Sequence, residues 1–188
     1  MNFDNDIEKC LQVLQQGGLI LYPTDTVWGI GCDATNEAAV AKIYALKKRH
    51  DEKAMIVLVA EERDVLQYTA SPDLGVFDYL QQTQKPTTVI YSGAIGLADN
   101  LIGKDGSIAI RICNEPFCRH LLKRFRKPIV STSANISGEP TAPIFSNITE
   151  TIKSSVDYIV QYRQDDTTIA SPSSVIKWDN GEVTIIRP

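Results

Sequence analysis

No two cysteines in this chain have the paired spacing of a zinc site, and only two histidines, His50 and His120, are present. Cys118 beside His120 lacks the second half that would complete a metal site. Cys10, Cys32, Cys113 and Cys118 therefore read as buried thiols, since a chain without an export signal has little use for disulfides. Neither histidine lies near a candidate nucleophile in sequence, so a Ser/His or Cys/His hydrolase has no support. A Gly-x-x-x-x-Gly-Lys-Ser/Thr segment is missing, which excludes a P-loop. Gly29 and Gly31 lack the third glycine of a dinucleotide fingerprint. No apolar run approaches bilayer-spanning length, and the first six residues have neither the basic start nor the apolar stretch of a signal peptide. The expected compartment is the cytoplasm, with no membrane partner. A formal charge of −4 argues against a protein that mainly coats nucleic acid, although a local basic patch remains compatible with it.

What is present is an ordinary folded composition, 43% hydrophobic and 22% charged, in 188 residues. That length supports one sizeable core, so a single domain over 1–188 is expected. Ile7, Cys10, Leu11 and Leu14 recur at helical spacing before Gly17 and Gly18, and Leu19 to Tyr22 reads as a short buried strand. Asn36 starts a helix that ends on Lys47, Lys48 and Arg49, where cations complement the carbonyl end. Further strands are expected at Met55 to Ala60, Thr87 to Tyr91, Ser107 to Ile112 and Asp157 to Gln161, and further helices at Glu61 to Tyr68, Pro72 to Gln82, Pro116 to Arg126 and Asn147 to Ser155. Arg163 to Ser171 has little periodicity and reads as a mobile flap. Asp179-Asn180-Gly181 between two apolar runs is a strong hairpin signal. Strands and helices are mixed rather than strictly alternating, which predicts an α/β (α+β) fold with a twisted, partly antiparallel sheet and helices packed around it.

Two polar stretches stand out. Ser131-Thr132-Ser133-Ala134-Asn135-Ile136-Ser137-Gly138 follows an apolar strand and is expected to leave the core, with hydroxyl, amide and backbone N–H groups open to an oxyanion. Tyr22-Pro23-Thr24-Asp25-Thr26-Val27-Trp28-Gly29 has the same plan. Lys47 and Arg49, at the end of an exposed helix, bring positive charge. Arg111 lies inside an apolar strand, where it needs either a ligand anion or an internal carboxylate such as Asp25. Thr24, Lys47, Arg49, Arg111, Ser133, Asn135 and Arg187 together suit binding and orienting anions, the equipment of phosphoryl or nucleotidyl transfer. Lys123, Arg124, Arg126 and Lys127 form a mostly solvated helix face and a weak candidate for RNA contact.

These stretches, with Leu46-Lys47-Lys48-Arg49, Ser107-Ile108-Ala109-Ile110-Arg111, Pro172-Ser173-Ser174-Val175 and Ile186-Arg187, resemble the YrdC/Sua5 family of threonylcarbamoyl-AMP synthases over almost the whole chain. The resemblance implies a YrdC-like fold with a concave, positively lined active site. It implies that L-threonine, bicarbonate and ATP, with Mg²⁺, give threonylcarbamoyl-AMP and pyrophosphate. A downstream tRNA threonylcarbamoyl-transferase complex would take the product to threonylcarbamoyl-adenosine. By the same resemblance Lys47 and Arg49 would hold triphosphate and carbamate, and Ser133 and Asn135 would donate to nucleotide phosphates. Ser131, Ser107 and Arg187 would lie at the nucleotide, and Thr24, Arg111 and Ser173 at threonine. His50 and Lys53-Ala54-Met55 depart from the proline-containing pattern common in relatives, and the end at Pro188 resembles the short bacterial form. The rivals are a noncatalytic module that binds double-stranded RNA, tRNA or ribosomes, and a carbamoyl-adenylating relative.

Overall fold

The computed structural model describes residues 3–48, 55–179 and 181–188. Arg49, His50, Lys53 and Ala54 lie outside the described residues, as does Asn180 of the expected hairpin turn. Helix α1 (Asp4–Gln15) buries Ile7, Cys10, Leu11 and Leu14 on one stripe. It stops where Gly17 takes a positive φ of 70° and Gly18 N–H returns to Val13 O at 2.9 Å. Strands β1 (Ile20–Tyr22) and β2 (Gly29–Gly31) follow, then α2 (Glu37–Lys47), whose first turn is capped by the Asn36 side chain on Ala39 N–H. The chain continues through β3 (Ile56–Val59), α3 (Glu62–Tyr68), α4 (Gly75–Gln82), β4 (Thr87–Tyr91), β5 (Ile108–Ile112) and α5 (Pro116–Phe125). It closes with β6 (Ile129–Ser133), α6 (Glu150–Lys153), β7 (Tyr158–Ile159) and the hairpin β8 (Ser174–Asp179) and β9 (Glu182–Arg187).

The nine strands form one sheet in the order β7-β1-β2-β6-β3-β5-β4-β8-β9. β1 with β7, β3 with β5 and β4 with β8 are parallel, and the other neighbours are antiparallel. This is the mixed α/β architecture expected, a twisted sheet flanked by helices. Helices α1 and α5 pack against each other, with Phe3, Phe117 and Tyr162 in edge and stacked ring contacts at that junction. All four cysteines are buried free thiols, as expected, and burial raises those of Cys10, Cys32 and Cys118 well above the usual range.

Strand β2 has no apolar run to announce it, and its glycines are there for space. A Cβ on Gly31 would lie 2.6 Å from the Tyr22 ring and 2.7 Å from Val130 O. The Tyr22 ring crosses this gap, and its hydroxyl donates to Val130 O at 3.2 Å.

Two elements are less than half the length expected. The helix predicted from Asn147 is a single turn at Glu150–Lys153, and the strand predicted over Asp157 to Gln161 pairs only at Tyr158–Ile159. Buried Asp6 accounts for the second. It accepts from Tyr158 Oη at 2.6 Å and from Gln161 and Tyr162 N–H at 3.0 Å each, so these amides leave the ladder for a carboxylate. Asp6→Ala would orphan three donors and is expected to cost about 3 kcal/mol of stability. That lowers the melting temperature by roughly 6–12 °C for a chain of this size. Thermal denaturation checks it, with Tyr158→Phe, which removes one of the three bonds, showing a smaller drop.

The segment expected as a flap carries neither helix nor strand over 163–171 and is tied down at its start. Arg163, at a left-handed φ of 65°, donates to Thr24 O at 3.1 Å and to Asp166 Oδ2 at 2.9 and 3.0 Å.

Candidate active site

The turn between β1 and β2 is built by its own hydroxyls. Thr24 Oγ1 donates to Val27 O at 2.8 Å and accepts from Thr26 N–H at 3.0 Å, a side-chain substitute for a backbone turn. Thr24 is thereby buried, and the turn presents Thr26, Val27, Trp28 and Gly29 to a cavity of about 260 Å³. The opposite wall comes from β5 and β6. Alternation places Ala109 and Arg111 on one face of β5, and Ser131 and Ser133 share a face of β6. Ala109 has no bulk to fill the space that Arg111 and the serines border. Ser173 and Arg187 close the cavity from the β8 end. Its described lining contains no histidine, cysteine or carboxylate.

The stretch expected to leave the core after Val130 remains in the sheet as far as Ser133. Ser131 pairs opposite Ile56 and Ser133 opposite Gly29, and Ser131 and Thr132 are buried. Two flanking strands take the backbone bonds of β6, so its hydroxyls can be inside while still lining a cavity. The expectation of an exposed helix end at Lys47 is also corrected. Lys47 is only 2% exposed, and its ammonium donates to Ser133 O at 2.5 Å and Asn135 O at 2.7 Å. A buried ammonium needs such partners. Here the carbonyls of the Ser-x-Asn turn supply them, so the lysine sits beneath that turn and fixes its backbone.

Asn135 commits both hydrogens of its amide, to Glu139 O at 2.7 Å and Ile136 O at 3.1 Å. Its buried Oδ1 has no partner, so the group left over is an acceptor rather than the donor expected. Arg111 is 3% exposed. Its Nη2 donates to Thr26 Oγ1 at 3.2 Å and lies 3.1 Å from Asp25 Oδ1, while its buried Nε is unpartnered. Both options raised for Arg111 thus coexist, an internal carboxylate and unmet capacity for an anion. Arg187 donates from Nε to Ser173 O at 3.0 Å and from Nη2 to Ser173 Oγ at 3.3 Å, and Ser173 Oγ also contacts Thr88 Oγ1 at 2.8 Å. Partial burial and then the charge of Arg111 lower the Arg187 pKa, as expected of two cations that border one cavity.

The cavity thus brings together Arg111, Ser131, Ser133, Ser173 and Arg187, with Lys47 and Asn135 at the adjoining turn. Thr24 is behind its wall, and Ser107 belongs to a separate turn, its N–H donating to Asp105 Oδ1 at 3.1 Å. Arg49 lies outside the described residues. Thr26, Trp28, Ala109 and Thr141 line the cavity without having been singled out. Thr26 was within a quoted motif, and the period of two along β5 was the available signal for Ala109. Because Asn135 bonds within its own turn, Asn135→Ala is expected to weaken nucleotide binding, and Ser137→Ala to do so less. Isothermal titration with ATP ranks them, and the reverse order would place the ligand on the other side of the turn.

The Sua5_yciO_yrdC family model, described as telomere recombination, matches residues 12–188. A protein of Pseudoalteromonas translucida named threonylcarbamoyl-AMP synthase is 31% identical over 186 residues, covering 97% of this chain and 98% of its own length. One of the same name from Xanthomonas euvesicatoria is 30% identical over 181 residues, covering 95% and 96%. Among solved structures, P. abyssi Sua5 complexed with L-threonine matches with a TM-score of 0.85 at 21% identity, over 97% of this chain and 53% of that one. This chain therefore spans about half the length of that Sua5 protein, and the likeness between the two is one of fold.

Proposed function

Since this chain belongs to the Sua5/YciO/YrdC family, we propose that it is an L-threonylcarbamoyladenylate synthase, converting L-threonine, bicarbonate and ATP to threonylcarbamoyl-AMP and pyrophosphate. The observation that carries the reading is a cavity bordered by Arg111, Arg187 and the three serines Ser131, Ser133 and Ser173, with no acid, histidine or thiol among its described lining. Such a wall can bind and orient anions, and its described lining has no base to activate a hydroxyl as a nucleophile. Threonine supplies the nucleophile. Its amine takes up bicarbonate with loss of water to form a carbamate, and a carbamate oxygen attacks the α-phosphorus of ATP. The bond to pyrophosphate breaks, leaving the mixed anhydride.

Arg111 and Ser173 would face the threonine end, and Arg187, Ser131 and Ser133 the phosphates. Lys47 would hold the Ser133 and Asn135 backbone in place and, with Arg49, offset the triphosphate charge. Preorganised donors of this kind supply most of the catalysis in phosphoryl and nucleotidyl transfer. Among the described residues no group of three or more histidines, cysteines or carboxylates could cage a metal. The donor set present fits Mg²⁺ carried chiefly by the triphosphate, with Asn135 Oδ1 and the Ser133 hydroxyl as neutral oxygens to hold it. When bound, the ion would share the charge of departing pyrophosphate. The product is an activated acyl-adenylate, so its consumer would be a transferase, one that the family resemblance implies acts on tRNA.

A noncatalytic RNA module is less well supported. On α5 Arg124 pairs with Glu8 at 2.7 Å and Lys123 lies 3.7 Å from Glu61, and just past its end Lys127 pairs with Asp33 at 2.7 Å. Those cations already have internal partners. Pyrophosphate release that requires ATP, threonine and bicarbonate together tests the reading. RNA retention without that release would favour the module instead.

A further inference from the structure

Asp25 is absent from the set of site residues above, yet it touches the most buried cation of the cavity. Its Oδ1 lies 3.1 Å from Arg111 Nη2, and the next residue, Thr26, accepts from the same Nη2 at 3.2 Å. Two consecutive residues of one turn therefore hold a single guanidinium nitrogen, which fixes where the Nη2 end of the group sits. The strongest Arg–carboxylate pairs take the bidentate form, with two parallel N–H to oxygen bonds. This one does not. Asp25 Oδ1 has no aligned hydrogen bond, and Arg111 Nε is buried without a partner. The contact thus offsets the charge and anchors the Nη2 end of the guanidinium while leaving Nε unused.

The second oxygen of Asp25 points elsewhere. Asp25 Oδ2 accepts from Asn114 N–H at 3.4 Å, just beyond the end of β5 that carries Arg111. Asp25 and Asn114 also line a separate cleft of about 650 Å³, and the Asp25 side chain is 13% exposed. Asp25 is thus reached from one cavity while Arg111 lines the other, and the carboxylate never enters the wall around the proposed substrate.

The geometry points to Asp25 as a positioning residue for threonine recognition, acting through Arg111 on the substrate carboxylate. This rests on the threonylcarbamoyl-AMP synthase reading. A guanidinium that loses its aiming carboxylate keeps its charge but presents a less defined fork, so the loss falls on the ligand bound by that fork. Nucleotide contacts at Ser133 and Asn135 do not involve Asp25. The space beside Asp25 also permits a longer acid there, which gives a conservative rescue.

The experiment measures steady-state constants for wild type, Asp25→Asn and Asp25→Glu, with threonine and ATP varied in turn. Asp25→Asn is expected to raise the KM for threonine roughly tenfold, the scale for removing a group that orients a ligand-binding side chain. The KM for ATP should stay within about twofold, and turnover at saturating threonine should be largely kept. Asp25→Glu should recover part of the threonine effect. Equal rises for threonine and ATP, or a fall in turnover without a threonine effect, would mean a merely structural role and overturn the inference. An unchanged or lowered threonine KM would also overturn it, the lowered value marking Asp25 as a competitor for Arg111. A wild type that forms no threonylcarbamoyl-AMP overturns the functional reading and this inference together, whereas an active wild type with an indifferent Asp25→Asn overturns this inference alone.

Discussion

Lys47→Met is expected to lose both turnover and stability, although it keeps most of the stem that fills the space beneath the Ser-x-Asn turn. The ammonium donates to Ser133 O and Asn135 O, and at 2% exposure water cannot readily replace it. Leaving two buried acceptors without that donor should cost about 2–4 kcal/mol of folding stability. The turn that carries Ser133 and Asn135 would then be held less firmly just where charge develops during transfer. Removing one preorganised group of this type costs about 2–4 kcal/mol of transition-state stabilisation, or roughly 30- to 1000-fold in rate. Circular dichroism at the assay temperature establishes that the variant is folded before turnover is compared. A folded Lys47→Met with near-normal turnover would remove Lys47 from the site.

Arg111→Met has the other large expected effect, and the structure gives it two parts. Asp25 loses its cation, so the melting temperature of the empty protein should fall. Removing one member of a buried pair typically costs about 3–5 kcal/mol, and the 13% exposure of the Asp25 side chain places this case toward the lower end. The second part depends on ligand. Threonine binding to the folded wild type should raise its melting temperature with threonine concentration, because a ligand that binds only the native state stabilises it by mass action. Its carboxylate would find the unpartnered Nε of Arg111 and the charge that Arg187 shares. In Arg111→Met that threonine-dependent rise should vanish, and the KM for threonine should increase far more than that for ATP. A threonine titration followed by thermal denaturation separates the two parts. A lowered starting temperature with the full threonine rise retained would make Arg111 purely structural.

Much of the architecture could be read from the chain because it is carried by local pattern. The apolar runs at Ile56–Val59, Thr87–Tyr91 and Ile108–Ile112 became strands, the stripe of α1 became a buried helix face, and the two C-terminal strands paired antiparallel as β8 and β9. The family resemblance likewise rested on contiguous motifs. What escaped depends on partners far away in sequence. Glycine gives β2 almost no strand propensity, and that strand exists because Tyr22 must cross it to reach Val130. Lys47 resembled a cation at a helix end, but Val40, Ile43, Tyr44 and Lys47 follow i, i+3, i+4, i+7 and all are buried. The stripe placed the lysine inward, and only the carbonyls of Ser133 and Asn135 explain how it can be there. The choice between Thr24 and Thr26 was hidden for a similar reason. Both have the same hydroxyl, and turn geometry spends that of Thr24 internally while Arg111, 85 residues on, engages that of Thr26.

The most direct measurement is mass spectrometry of the reaction of this protein with ATP, L-threonine and isotope-labelled bicarbonate. The account predicts threonylcarbamoyl-AMP carrying the label in its carbamoyl carbon, with one pyrophosphate released per product and nothing formed when any of the three substrates is omitted. Unlabelled product, or ATP turnover that proceeds without threonine, would contradict it.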